Sequence, residues 1–403
     1  MQIYSFSPFG YEGALVRVEV DLCRGIPAVD MVGLPDGTVR ESRERMRAAI
    51  RNSALEFPAE RILINLSPAD VKKEGSGFDL PIALAILAAP GTSRSAANGV
   101  PRNIPDGDGF RVLIMGELEL SGSVRGVRGI SAAISTGIEQ GIRTFIIPRD
   151  IAETVELPDR DDREPIRIIG VETLQEAFSC LLRTAAGEEL SEQERSITGR
   201  RRNMEEEPEF EDLCRENDYT DLRGQPRLVR ALQIAAAGGH HLFAFGPPGC
   251  GKTLALERFW TLLPLLKEQE AHTVTRIHSL TAGDHASGVI RSPPFRQPHQ
   301  NASLEGMIGG GPQCRPGEIS LAHHGVLFLD EAAEFRHSVL QSLRIPLETG
   351  QAVISRAGRT TCFPARFQLL LAANPCACGN FGADSKICVC SPQSVEQYWK
   401  RFS

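Results

Sequence analysis

Residues 1–182 change hydrophobic period several times. Leu15–Asp21 and Arg61–Leu66 alternate apolar with polar positions, the two-residue period of half-buried strands. Between them, Arg40–Ser53 carries apolar residues at helical spacing, and Leu80–Ala89 is apolar all round, as a buried helix would be. A strand at Arg111–Glu117, a helix at Ile130–Gln140 and a short buried strand at Thr144–Pro148 follow, so the segment reads as a complete mixed α/β domain. From Gly187 to Asp212 the pattern lapses: ten acidic residues stand against four arginines, with Arg200-Arg201-Arg202 facing Glu205-Glu206-Glu207. Such a stretch cannot bury enough apolar surface to offset its ordering entropy, and a charged linker is expected over 183–212. A second domain runs from 213 to 403, and no solenoid-type repeat is visible.

The second domain carries the chemistry. A short apolar run, His241–Phe245, leads into Gly246-Pro247-Pro248-Gly249-Cys250-Gly251-Lys252-Thr253 and then a helical stretch expected over Leu254–Leu263. This is G-x-x-x-x-G-K-[ST] in strand–loop–helix context: the glycines let backbone N–H groups turn inward around phosphate oxygens, the helix adds its positive end, Lys252 reaches the outer phosphates and the Thr253 hydroxyl can hold Mg²⁺. Downstream, Gly325-Val-Leu-Phe-Leu-Asp330-Glu331 reads as a buried strand ending in two carboxylates, placing Asp330 to order Mg²⁺ and Glu331 as general base toward the attacking water. Taken alone, the pair would equally suit a helix cap. A third apolar run, Phe367–Ala373, ends in Asn374-Pro375, where Asn374 can hydrogen-bond the γ-phosphate or the water; ordinary turn chemistry is the alternative.

Leu347–Phe363 reads as a β-hairpin whose Ala-Gly turn is flanked by Arg356 and Arg359, candidates for DNA phosphate contact if several copies line a ring, or else simply solvated. The segments Phe295–His299 and Gly309–Pro312 are further loops of this kind, and His240-His241 and His323-His324, beside apolar strands, read as packing residues. Cys376-x-Cys378 and Cys388-x-Cys390 offer four thiols, enough for a closed tetrahedral Zn²⁺ site; the C-x-C spacing is tighter than usual, and unliganded thiols are the alternative.

Composition narrows the setting. With 403 residues, 41% of them apolar, the chain can bury a core in each of two or three domains. A formal charge of −7 and pI near 5.8 give no global attraction for nucleic acid, so DNA contact would rest on local basic loops. There is no signal-peptide pattern, no membrane-length apolar run and no disulfide framework, and a cytoplasmic protein with reduced thiols is expected.

These motifs resemble those of the YifB/ComM family of magnesium-chelatase-like AAA+ ATPases. GGHHLFAFGPPGCGKT, IGGGPQCRPGEISLAHHGVLFLDE, ISRAGRTTCFPARF and ANPCACG carry the resemblance in the second domain, and GLPDGTVRESRERMRAAI and KKEGSGFDLPIALAIL in the first. The resemblance implies a P-loop AAA+ core behind a Lon-protease-like domain of the ribosomal-S5-like α/β type, with ATP and Mg²⁺ as cofactors and assembly into rings, hexameric in the family. It implies a DNA helicase or branch-migration factor in recombination or natural transformation. The rival readings are a protein-remodelling ATPase and an inactive product. Lon's catalytic serine and lysine correspond to Gly77 and Arg125, and an arginine cannot serve as the neutral base, so proteolysis is not expected. The resemblance also implies that the chain stops before an arginine that completes a neighbour's site, a last core strand and a helical lid, leaving an incomplete core with weak turnover. Where the family has Leu-Pro-Glu after the acidic pair, this chain has Ala332-Ala333-Glu334.

Overall fold

The computed structural model describes residues 1–69, 71–73, 75–89, 110–155, 157, 165–188, 219, 222, 224–281, 288–356, 359–382 and 386–402, apart from the side chains of Arg40 and Arg359. The chain divides into two units, Met1–Arg202 with His278–Val289, and Asn203–Ile277 with Ile290–Ser403. Most of the expected linker lies outside the described residues.

In the first unit the alternating N-terminus forms β1 (Gln2–Ser7), antiparallel to β2 (Ala14–Cys23) with Ile3 opposite Val18. β3 (Val29–Val32), α1 (Gly37–Asn52), β4 (Arg61–Ser67), α2 (Asp79–Ala88) and β5 (Arg111–Ile114) follow. Then come β6 (Glu117–Leu118), β7 (Val124–Arg125), α3 (Ile130–Glu139), β8 (Thr144–Pro148), α4 (Arg149–Ala152), β9 (Arg167–Val171) and α5 (Leu174–Ala185). Seven strands make one mixed sheet in the order β3-β4-β2-β1-β5-β8-β9. α2 is buried from Asp79 through Leu87, as its all-round apolar sequence requires, and it packs with Ile62, Ile64 and Leu66 of β4 in one core.

The strand expected over Arg111–Glu117 divides at Met115-Gly116. There the chain leaves the sheet so that Gly116 O accepts from Leu80 N at 3.1 Å, an approach so close that a Cβ on Gly116 would lie 2.8 Å from Val124 Cγ1. Within α2, Asp79 is fully buried, accepting from Ser42 Oγ and, at 2.9 Å, from Arg45 Nε of α1. Burial pushes its carboxyl above the usual range against the pull of Arg45 and Ser42.

The second unit opens with α6 (Pro226–Gly238), β10 (Leu242–Phe245), α7 (Lys252–Glu257) and α8 (Glu268–Ser279). β11 (Phe295–Arg296), α9 (Leu304–Ile308), β12 (Gly309–Gly310), β13 (Arg315–Pro316), α10 (Glu318–Leu321) and β14 (Val326–Leu329) come next. α11 (His337–Ser342), α12 (Arg344–Thr349), β15 (Gln351–Arg356), β16 (Arg359–Pro364), β17 (Gln368–Ala373) and α13 (Pro392–Trp399) complete it. β10, β17, β14 and β11 form an all-parallel sheet in that order. Such strands are buried on both faces, which is why β14 and β17 are near-continuous apolar runs. Leu232, Ala255, Leu256 and Phe259 cover them together with Ala244, Phe328 and Leu370. Among the described residues no helix is long and apolar enough to cross a membrane.

Candidate active site

The register of the parallel sheet aligns three strand ends. Phe245 lies opposite Ala373 and Leu329 opposite Leu371, so Gly246, Asn374 and Asp330 all leave the sheet at its carboxyl edge, where open parallel sheets bind ligands. Gly246 N donates to Ala373 O at 3.3 Å, fixing the start of the phosphate loop to the end of β17. Gly249 and Gly251 adopt φ of +79° and +83°, in the left-handed region that glycine alone enters at little cost, and a Cβ on either would meet no atom within 4 Å. Lys252 folds over the loop, its Nζ donating to Gly246 O at 2.7 Å and Pro247 O at 3.0 Å, and Gln225 Nε2 donates to Cys250 O at 3.1 Å. Sequence reasoning missed Gln225: it precedes Pro226 at the start of α6, and nothing local signals its reach across to the loop.

The helix after the loop is shorter than expected. α7 ends at Glu257, and Phe259–Leu262 continues as a 3₁₀ turn. Pro264 forces Leu263 into an extended conformation (ψ 139°), so the last turn tightens instead of propagating. Six helical residues make only a small dipole at the end of the loop.

Thr253 Oγ1 lies 3.3 Å from Asp330 Oδ1, which also accepts from Glu331 N at 2.9 Å. Glu331 is exposed and stands at φ +48°, a left-handed conformation that costs a non-glycine residue about 1–3 kcal/mol. The turn is held by burial of Ala332 and Ala333 and by Arg401 Nη1 donating to Ala333 O. Asn374 is half-buried at the end of β17, the strand between β10 and β14.

The hairpin β15–β16 pairs Arg356 with Arg359 across the turn. Residues 357 and 358 and the Arg359 side chain lie outside the described residues. Arg356 makes an exposed pair with Glu305 of α9 at 3.4 Å. Arg296, in the Phe295–His299 loop, is instead committed to a two-pronged pair with Glu318 (2.6 and 2.8 Å) that ties β11 to α10. One histidine of each pair serves the backbone: His241 Nδ1 accepts from Leu369 N and His323 Nδ1 from Arg366 N, both at 3.0 Å. Burial, assisted by His324 and Arg366, pushes His323 down to about 3.

The four clustered cysteines converge. Their Sγ atoms lie within 4.8 Å of one another, with Cys376–Cys378 at 3.4 Å, Cys376–Cys388 at 3.7 Å and Cys378–Cys388 at 3.6 Å. A regular tetrahedron with Zn–S near 2.3 Å has edges of about 3.8 Å, so the donor set and its spacing fit a four-thiolate ion.

In the first unit, Ser76 Oγ donates to Glu117 Oε2 at 2.7 Å, and Arg125 is paired with Glu119. Neither arrangement supplies a neutral amine beside a hydroxyl.

Profiles of known families match both units: "Magnesium chelatase, subunit ChlI" over residues 218–403 and "Subunit ChlI of Mg-chelatase" over residues 18–151. The protein YifB of Escherichia coli (strain K12) is 38% identical over 401 residues, covering 100% of this chain and 72% of its own. The competence protein ComM of Haemophilus influenzae is 37% identical over 402 residues, covering 100% and 73%. This chain belongs to the YifB/ComM family of magnesium-chelatase-like proteins. Lon protease 2 of Bacillus subtilis is 27% identical over 161 residues, 36% of this chain and 27% of its own. The fold is therefore the α/β P-loop NTPase type of the magnesium-chelatase AAA+ proteins, with partial similarity to Lon protease.

Proposed function

We propose that the second unit binds ATP with Mg²⁺ and hydrolyses it, and that the protein assembles into a hexameric ring that acts on DNA in recombination. The observation that carries the ATPase reading is the meeting of Gly246–Thr253, Asp330-Glu331 and Asn374 at one edge of a parallel sheet. In this reading the phosphates lie in the glycine-shaped loop, and Lys252 exchanges its two backbone carbonyls for phosphate oxygens. Thr253 and Asp330 present two hard oxygens side by side, a donor set that suits Mg²⁺. When bound, that ion neutralises charge on the outer phosphates. Glu331 takes the proton of the attacking water, and Asn374 orients that water or the γ-phosphate. The four cysteines suit a structural Zn²⁺, since four thiolates leave no open position for catalysis.

Support for DNA as the partner comes from Arg356 and Arg359 at the head of one hairpin and from the name of ComM, a competence protein. The exposed Arg356–Glu305 pair is worth little in water and can be exchanged for a backbone phosphate. The test is equilibrium binding of a fluorescent ATP analogue, followed by ATP turnover with and without forked DNA. Binding lost in Lys252→Ala, and DNA stimulation lost at moderate salt in Arg356→Glu with nucleotide binding intact, are the expected results. Binding that survives Lys252→Ala contradicts the nucleotide site; turnover indifferent to forked DNA, or stimulation intact in Arg356→Glu, contradicts the DNA reading.

A further inference from the structure

The segment from Cys376 to Cys390 lies between β17 and α13, and among its described residues the burial pattern is inverted for a self-supporting loop. Ile387 and Val389 are 89% and 84% exposed and Phe381 is exposed too, so apolar burial does not hold this segment together. What sits inside it is sulfur. Cys376 is fully buried, and the other three thiols close around it in two C-x-C arms. The S–S separations of 3.4 to 3.7 Å exceed a disulfide's ~2.05 Å by far, so no covalent bond does the work either.

The loop also touches the phosphate loop. Gly379, at φ +78° with its N–H bonded to Cys376 O at 2.9 Å, lies so close to Pro248 that a Cβ would approach Pro248 Cγ and Cδ at 2.8 and 2.9 Å. At its other end the loop begins two residues after Asn374. We infer that Cys376, Cys378, Cys388 and Cys390 hold one Zn²⁺, and that this centre is a brace setting Pro248 and Asn374 in place, so that metal and nucleotide binding are coupled. The coupling rests on the reading of Gly246–Thr253 as a nucleotide site; the metal site does not. Because linkage is reciprocal, bound nucleotide also tightens binding of the metal by the same factor.

The experiment uses the full chain in three states: as purified, stripped with a strong chelator under reducing conditions, and reloaded with Zn²⁺ or Co²⁺. One zinc per chain by elemental mass spectrometry, and thiolate-to-cobalt charge-transfer absorption with intense tetrahedral bands after Co²⁺ loading, are expected. Cys378→Ser with Cys388→Ser loses both signals. Stripping weakens binding of a fluorescent ADP analogue by about tenfold, within the usual range of coupling, and Zn²⁺ restores it. Gly379→Ala keeps its zinc and shows a similar weakening. Purified chain without zinc and without the cobalt spectrum overturns the site. Zinc-loaded and stripped protein with affinities within about twofold, less than typical coupling, overturn the brace. Protein that takes zinc but binds nucleotide in no state overturns the nucleotide reading and the coupling, and leaves the metal site standing.

Discussion

At the scale of single residues, the site is built from side chains whose surroundings restrict what they can do. His323 is an example outside the Gly246–Thr253 loop. Its Nδ1 must stay unprotonated to accept from Arg366 N, and burial holds it neutral down to about pH 3. The unfolded chain binds that proton from about pH 6.5 downward, so the unfolded state gains protons first and stability falls as pH drops from 6.5 toward 3. The expected loss from this group at pH 5, relative to neutral pH, is about 2 kcal/mol. His323→Asn keeps an acceptor and removes the titration, and urea unfolding at pH 7 and pH 5 should show a smaller acid loss in the variant. An equal loss in both proteins would assign the acid sensitivity elsewhere. The turn at Gly246–Thr253 was readable from sequence because Gly249 and Gly251 supply the left-handed backbone it needs between β10 and α7. Glu331's left-handed backbone and Gln225's reach to Cys250 were not readable, because both depend on where remote segments end.

At the scale of elements, apolar patterning located α1, α2, α3, β2, β4 and β8 to within a few residues, since each buries one face or all of itself. It failed where another segment sets the outcome. Gly116 breaks an apolar run to meet α2, Pro264 cuts short the helix that follows Gly246–Thr253, and Gly309–Gly310, read as part of a loop, forms β12 because β13 pairs with it, with a Cβ on Gly309 only 2.4 Å from Arg315 O. Legibility also failed for β3 and β9, short strands whose partners supply most of their evidence, and for α5. The joint between α1 and α2 carries a prediction of its own. Asp79→Ala removes the buried acceptor of Ser42 and Arg45 and should cost about 3 kcal/mol, the low end for broken buried pairs because Arg45 keeps 26% of its side chain exposed. Chemical denaturation of the full chain, followed by a probe in the first unit, measures it. A cost below about 1 kcal/mol, the value of an exposed pair, would mean that the pair is not stabilising.

At the scale of the whole molecule, two α/β units with separate cores occupy one chain, and the chemistry assigned to it lies in the second. On the proposed DNA reading, the net charge of −7 leaves contact to local arginines, and the salt dependence of binding should follow the hairpin and not the protein's mean field. The central claim is that Gly246–Thr253, Asp330-Glu331 and Asn374 form one ATP-hydrolysing site. Single-turnover hydrolysis of labelled ATP by wild-type protein, Lys252→Ala and Glu331→Gln, with bound nucleotide counted in each, tests it most directly. The account predicts that wild type binds and hydrolyses, that Lys252→Ala does neither, and that Glu331→Gln retains ATP unhydrolysed. Hydrolysis by Glu331→Gln at the wild-type rate, or ATP retained by Lys252→Ala, would contradict it.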